Sequence, residues 1–130
     1  MEIFIIILVL GVIAAITVPK FKLMLYQSRE GRVKASLSDL RGALAIYYSD
    51  HSGTYPSDRG PDTRRLSESL VPHYLKEMPS IKLPHFYSKS LATVQDQFDD
   101  KGGWMYSAAS GFVGVNCTHT DTKGNPISSW

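Results

Sequence analysis

The chain has 130 residues, room for one compact domain but not for two of ordinary size. Its 14 Lys and Arg against 12 Asp and Glu leave a formal charge of +2, far from the dense basic character of a nucleic-acid binder, so no nucleic-acid partner is expected. Hydrophobic residues at 43% exclude wholesale disorder, and the single cysteine, Cys117, excludes an intrachain disulfide and any zinc site built on several cysteines.

The charge is unevenly spread, because the first 18 residues carry only Glu2. Ile3 to Val18 reads IFIIILVLGVIAAITV, uncharged throughout. At about 1.5 Å per residue this run covers roughly 24 Å, slightly less than a hydrocarbon core about 30 Å thick, and the residues after Pro19 extend it. A cleaved signal peptide needs Lys or Arg ahead of the apolar stretch, where Met1 and Glu2 stand. A buried core helix of a soluble protein fits the length. A membrane helix that also packs against copies of itself fits the details better: Gly11, Ala14 and Ala15 make a small-residue face on which a second helix can approach closely. Glu2 has no use in a simple anchor, since a carboxylate carried into lipid costs about 2.5–3.5 kcal/mol unless it finds a partner. Lys20 and Lys22 follow the run, and the positive-inside rule alone keeps whatever follows them in the cytoplasm.

Beyond Pro19 the chain stays helical in pattern. Val33, Leu37, Leu40, Leu44 and Tyr47 recur at helical spacing and form the stripe on which a head packs. Arg32, Lys34, Ser38, Asp39 and Arg41 fall mostly off that stripe and are expected to face water. Gly53, with Pro56 beyond it, supplies the stop. Pro19 sits inside this helix and predicts a kink or local break there. The division expected is residues 1–24 as a transmembrane and assembly helix, 25–53 as its amphipathic continuation, and 54–130 as a globular head.

In the head, Asp62 to Val71 reads as a short helix closed by Pro72, and Pro79 and Pro84 punctuate the loop after it. WMYSA and FVGVN read as two strands joined by a turn at Ser110-Gly111. A turn at Lys123-Gly124-Asn125 then leads into ISSW, expected as a third strand. The fold class is therefore α+β, a long N-terminal helix packed on a small antiparallel sheet. Catalytic chemistry is thin: His51, His73, His85 and His119 lie apart without metal-ligand spacing, and no nucleophile motif supports a Ser-His-Asp arrangement. Asp96, Asp99 and Asp100 read as a solvated acidic loop, because their spacing does not match a calcium consensus. Asn116-Cys117-Thr118 is a glycosylation sequon by pattern, and Cys117 is expected as a small core residue.

EIFIIILVLGVIAAITVPKF, residues 2–21, resembles the N-terminal segment of type IV pilins and of the pseudopilins of type II secretion systems. The shared pattern is a glutamate, an unbroken apolar helix, a glycine, a pair of alanines and a proline. DLRGALAIYYSDHSGTYPS, residues 39–57, is similar to the stretch in which the pilin helix ends and a Tyr-Pro step enters the head. The resemblance implies a non-enzymatic subunit anchored singly in a bacterial inner membrane with its head in the periplasm. Its partners would be copies of itself in a helical filament, other pilin-like subunits, a membrane assembly platform and membrane lipid. Glu2, Gly11, Ala14, Ala15 and Pro19 are its expected assembly residues, and Glu2 would meet the N-terminal amine of a neighbouring subunit. In the family a short basic leader ends in glycine, and a prepilin peptidase cuts there and methylates the new N-terminus. Glu2 follows Met1 directly, so the expectation is that Met1 lies inside a longer precursor, whose basic leader would also offset Lys20 and Lys22 in setting orientation. The lone cysteine departs from the C-terminal disulfide of many type IV pilins and favours the pseudopilin branch. Major pseudopilins often bind calcium in a C-terminal loop, but those ligands do not map onto this sequence; no cofactor is expected, with calcium as the alternative the resemblance leaves open. A true type IV pilus subunit and a monomeric, membrane-anchored binding module are the alternatives.

Overall fold

The computed structural model of the chain describes residues 2–57, 64–83, 85–87, 89 and 91–130. Its first element, α1, is one helix over Glu2–Asp50, 49 residues long, or roughly 74 Å at the usual rise. Pro19 lies inside α1 without interrupting it, so the local break expected there does not occur. A proline removes one donor from the helical ladder, and the turns on either side retain theirs. Thr17, the only hydroxyl residue in the apolar run, donates to the Ile13 carbonyl at 2.8 Å and so keeps its own hydroxyl paired on that surface. The helix closes where Gly53 adopts a left-handed φ of 82° and its N–H reaches the Tyr48 carbonyl at 2.9 Å.

The head adds a short helix, α2 (Arg64–Leu70), and three strands: β1 (Val94–Gln95), β2 (Trp104–Ser107) and β3 (Phe112–Val115). The helix expected over Asp62–Val71 is thus present from Arg64, while Asp62 lies outside the described residues. The sheet order is β1-β2-β3, with β2 and β3 antiparallel and β1 parallel to β2. Two expectations need correction. The sheet is mixed rather than antiparallel, and ISSW is not its third strand. Ile127–Ser129 instead forms a single 3-10 turn behind Pro126, with Ile127 fully buried. The third strand is the two-residue β1, brought alongside when the Trp104 N–H donates to the Thr93 carbonyl at 2.7 Å. Gly103 permits that approach: its φ is +85°, and a Cβ there would collide with the Thr93 carbonyl.

The core lies between α1 and the sheet. Val33, Leu37, Leu40 and Leu44 are all buried against it, joined by Ala43, and Tyr47 packs at its edge. From the other side come Trp104, Tyr106, Val113, Val115, Cys117 and Ile127. Burying each such Leu or Val contributes about 1.5–3 kcal/mol, so this one stripe ties the second half of α1 to the head. Polar groups carried inward find partners: the Trp104 indole donates to the Pro79 carbonyl and the Tyr106 hydroxyl to the Pro56 carbonyl, each at 2.7 Å.

Candidate functional site

Among the described residues, nothing buries the apolar run of α1. Every large apolar side chain from Ile3 to Leu25 is 42–74% exposed. A typical monomer's largest apolar patch measures roughly 300–600 Å², and a shaft of this length exceeds it severalfold. By length and composition α1 can cross a membrane. Glu2 occupies its first turn and is exposed, as are Gly11, Ala14, Ala15 and Pro19. A Cβ built at Gly11 would meet nothing within 4 Å, so the small-residue face is open to a second helix.

Where α1 enters the head, part of its polar face also bonds the C-terminal segment. Lys34 and Arg41 are exposed, as expected, and in addition hold that segment. The Arg41 guanidinium donates to the Val113 carbonyl at 2.9 Å and to the Trp130 main-chain oxygen at 2.7 Å. The Lys34 ammonium lies 4.3 Å from the centre of the Trp130 ring and 3.4 Å from the Asp121 carboxylate. One turn earlier, the two Glu30 oxygens accept from the Thr122 N–H at 2.9 Å and the Thr122 hydroxyl at 2.7 Å. Asp121 organises the loop itself, one oxygen accepting the N–H groups of Lys123 and Asn125, both at 2.9 Å. The backbone hydrogen bond from Asn125 leads the effects that hold its carboxyl at about 2, below the ordinary 3.8. No pattern in the sequence marks Glu30, Lys34 or Arg41, because their partners lie 72 to 92 residues away.

The acidic loop is internally engaged. Asp99 accepts from the Asn116 amide and from the Lys101 N–H, and Asp100 from the Thr118 N–H and hydroxyl, both at 2.6 Å. These bonds, led by Asn116 for Asp99 and by the Thr118 hydroxyl for Asp100, lower both carboxyl pKa values, that of Asp99 to about 2. Asp96 is exposed and joins neither. Asn116 of the sequon is fully buried, with its amide spent on Asp99 and the Gly102 carbonyl, so its part is structural. His51 stacks on Tyr47 and His85 meets Tyr26 edge-on, both outside any cluster of ligating groups among the described residues. Cys117 is buried in the core, but its sulfur faces His119, and Asp100 lies beside them. The distance of Asp100 along the chain conceals that grouping from the sequence. Comparison with protein-family models, with curated protein sequences and with solved structures yields no match to this chain.

Proposed function

We propose that this chain is a structural subunit of a periplasmic pseudopilus of a type II secretion system, one that polymerises through its N-terminal helix to help export folded proteins. The observation that carries the reading is the uncovered shaft of α1, apolar on all sides from Ile3 to Val18 and carrying a carboxylate in its first turn. Water does not tolerate such a shaft, so lipid must surround it before assembly and neighbouring helices after it. In this reading the monomer waits in the inner membrane with its head in the periplasm. Assembly draws residues 1–24 out of lipid into a filament core, and Gly11, Ala14 and Ala15 set the closeness of approach. The contact between subunits is head to tail, so it propagates without closing. Glu2 pairs with the N-terminal amine of a neighbour and acts as a register device, because a subunit docked one step out of place leaves both charges buried and unpaired. The single cysteine favours the pseudopilus over a disulfide-stapled pilus. Electron microscopy and immunoblotting of sheared cells test the proposal. Filaments containing this chain support it, and a chain found only as a membrane monomer favours the anchored binding module.

A further inference from the structure

The loop before β2 and the segment after β3 bring three potential metal ligands to one point, with their donor atoms all within 4.8 Å of one another. The Cys117 sulfur is 3.5 Å from His119 Nδ1, and the same nitrogen is 4.0 Å from Asp100 Oδ1. That shared nitrogen decides between two chemistries. A Cys-His-Asp relay needs the carboxylate on the ring nitrogen opposite the nucleophile; here both groups face one nitrogen, so no relay forms. Three lone-pair donors gathered within 4.8 Å of one another suit a cation. A tetrahedral zinc ion with bonds of about 2.3 Å to sulfur and about 2.0–2.2 Å to nitrogen and oxygen sets its ligand atoms roughly 3.4–3.6 Å apart. The sulfur–nitrogen pair already has that separation, and the half-exposed Asp100 carboxylate, 4.0 Å from the nitrogen and within 4.8 Å of the sulfur, closes the site by a movement of about 1 Å.

The surroundings are built to hold these groups. Thr118 fixes the Asp100 carboxylate through two hydrogen bonds of 2.6 Å, and the Phe86 ring stacks on the His119 imidazole at 4.5 Å. The Tyr87 hydroxyl sits beside Cys117 while donating to the Asn116 carbonyl. Asn116 in turn ties the Asp99 backbone to this segment. Such outer contacts orient ligands before a metal arrives. Cys117 is buried, whereas His119 and Asp100 are about half exposed, so an ion enters from the solvent side and keeps a fourth position for water.

We propose that Asp100, Cys117 and His119 form a binding site for one thiophilic divalent ion of zinc character, which clips the C-terminal segment to the loop before β2. A thiolate donor selects against calcium and magnesium. In a head with one cysteine, the clip supplies the cross-link that a disulfide cannot, and it does so whether or not the filament reading holds.

The test uses the untagged full chain in detergent, stripped of metal by a chelator and kept reduced by a phosphine, titrated with cobalt(II) and then with zinc(II) or calcium. The expected result is a thiolate-to-cobalt charge-transfer band with tetrahedral visible bands, saturating at one equivalent, erased by zinc and untouched by calcium, together with a zinc-dependent rise in Tm. His119→Ala and Asp100→Asn should each weaken binding by more than about tenfold, and Cys117→Ser should remove the charge-transfer band. Should Cys117→Ser fail to fold, the half-exposed His119 variant carries the test alone. Absence of the band in the native chain, displacement by calcium, or unchanged affinity in the folded His119→Ala variant would overturn the site.

Discussion

Leu40 and Ile46 lie six residues apart on α1 and present similar bulk, yet one is 0% and the other 55% exposed. Truncating each to alanine makes the sharpest test of how α1 is divided around its circumference. Leu40→Ala removes three carbons from a site enclosed by helix and sheet. At about 0.8 kcal/mol per buried carbon the transfer loss is about 2.4 kcal/mol, and the cavity left behind raises it to about 3–4 kcal/mol. Ile46→Ala removes the same number of carbons from a solvated face and should stay within about 0.5 kcal/mol of wild type, helped slightly by the better helix propensity of alanine. For a head of this size each kcal/mol moves Tm by roughly 4–8 °C. Leu40→Ala should therefore lower Tm by roughly 12 °C or more, against less than about 4 °C for Ile46→Ala. Fluorescence of the fully buried Trp104, followed through heat and urea unfolding of the full chain in detergent, reports the transition. Equal shifts for the two variants, or a larger one at Ile46, would refute the packing described here.

Removing residues 1–24 should leave a soluble, folded monomer, because the stripe from Val33 to Leu44 supplies the head's buried contact with α1 while, among the described residues, the shaft's apolar side chains stay exposed; aggregation or loss of structure, seen by gel filtration and circular dichroism, would show that the shaft supports the head. The head should also lose stability in acid through Asp121. Its folded pKa of about 2 lies below the ordinary 3.8, so its contribution is complete above the ordinary value and disappears as pH falls from about 4 to about 2. Urea midpoints measured with a chelator present should fall across that window, and less steeply in Asp121→Asn; parallel acid profiles would mean the Asp121 bonds do not distinguish folded from unfolded chain.

The elements that sequence reading finds are those whose signal is local. The Val33–Leu44 spacing marks the packed face of α1 because a helix repeats every 3.6 residues, and WMYS and FVGV are short runs rich in aromatic and β-branched residues on either side of Ser110-Gly111, as in a hairpin. Gly111 carries the turn with φ of +67° while Tyr55 packs on it so closely that a side chain would not fit. What escapes is set by distant partners. Two residues of β1 hold no alternation to read, and their parallel pairing depends on Gly103 lying against Thr93. ISSW follows a turn as a strand would, yet behind Pro126 and with Ile127 buried it forms a 3-10 helix. A helical wheel puts Lys34 and Arg41 on the exposed face, where they lie, but contains no C-terminal segment for them to bind, and Asp100 finds Cys117 and His119 only once β2 and β3 have paired.

The central claim, that the α1 shaft is an assembly element and not a plain anchor, rests most directly on Glu2. The measurement is the amount of this subunit in sheared filaments, normalised to its membrane level, for wild type and Glu2→Val expressed in full precursor form with the native assembly machinery. Membrane insertion should be unchanged or improved, since the substitution removes the one charge ahead of Lys20. Polymerisation should fall by at least roughly tenfold, because leaving one member of a buried ion pair without its partner costs about 3–5 kcal/mol and each tenfold requires only about 1.4 kcal/mol. Wild-type filament levels with Glu2→Val would contradict the account, because they would show that assembly does not use the charge.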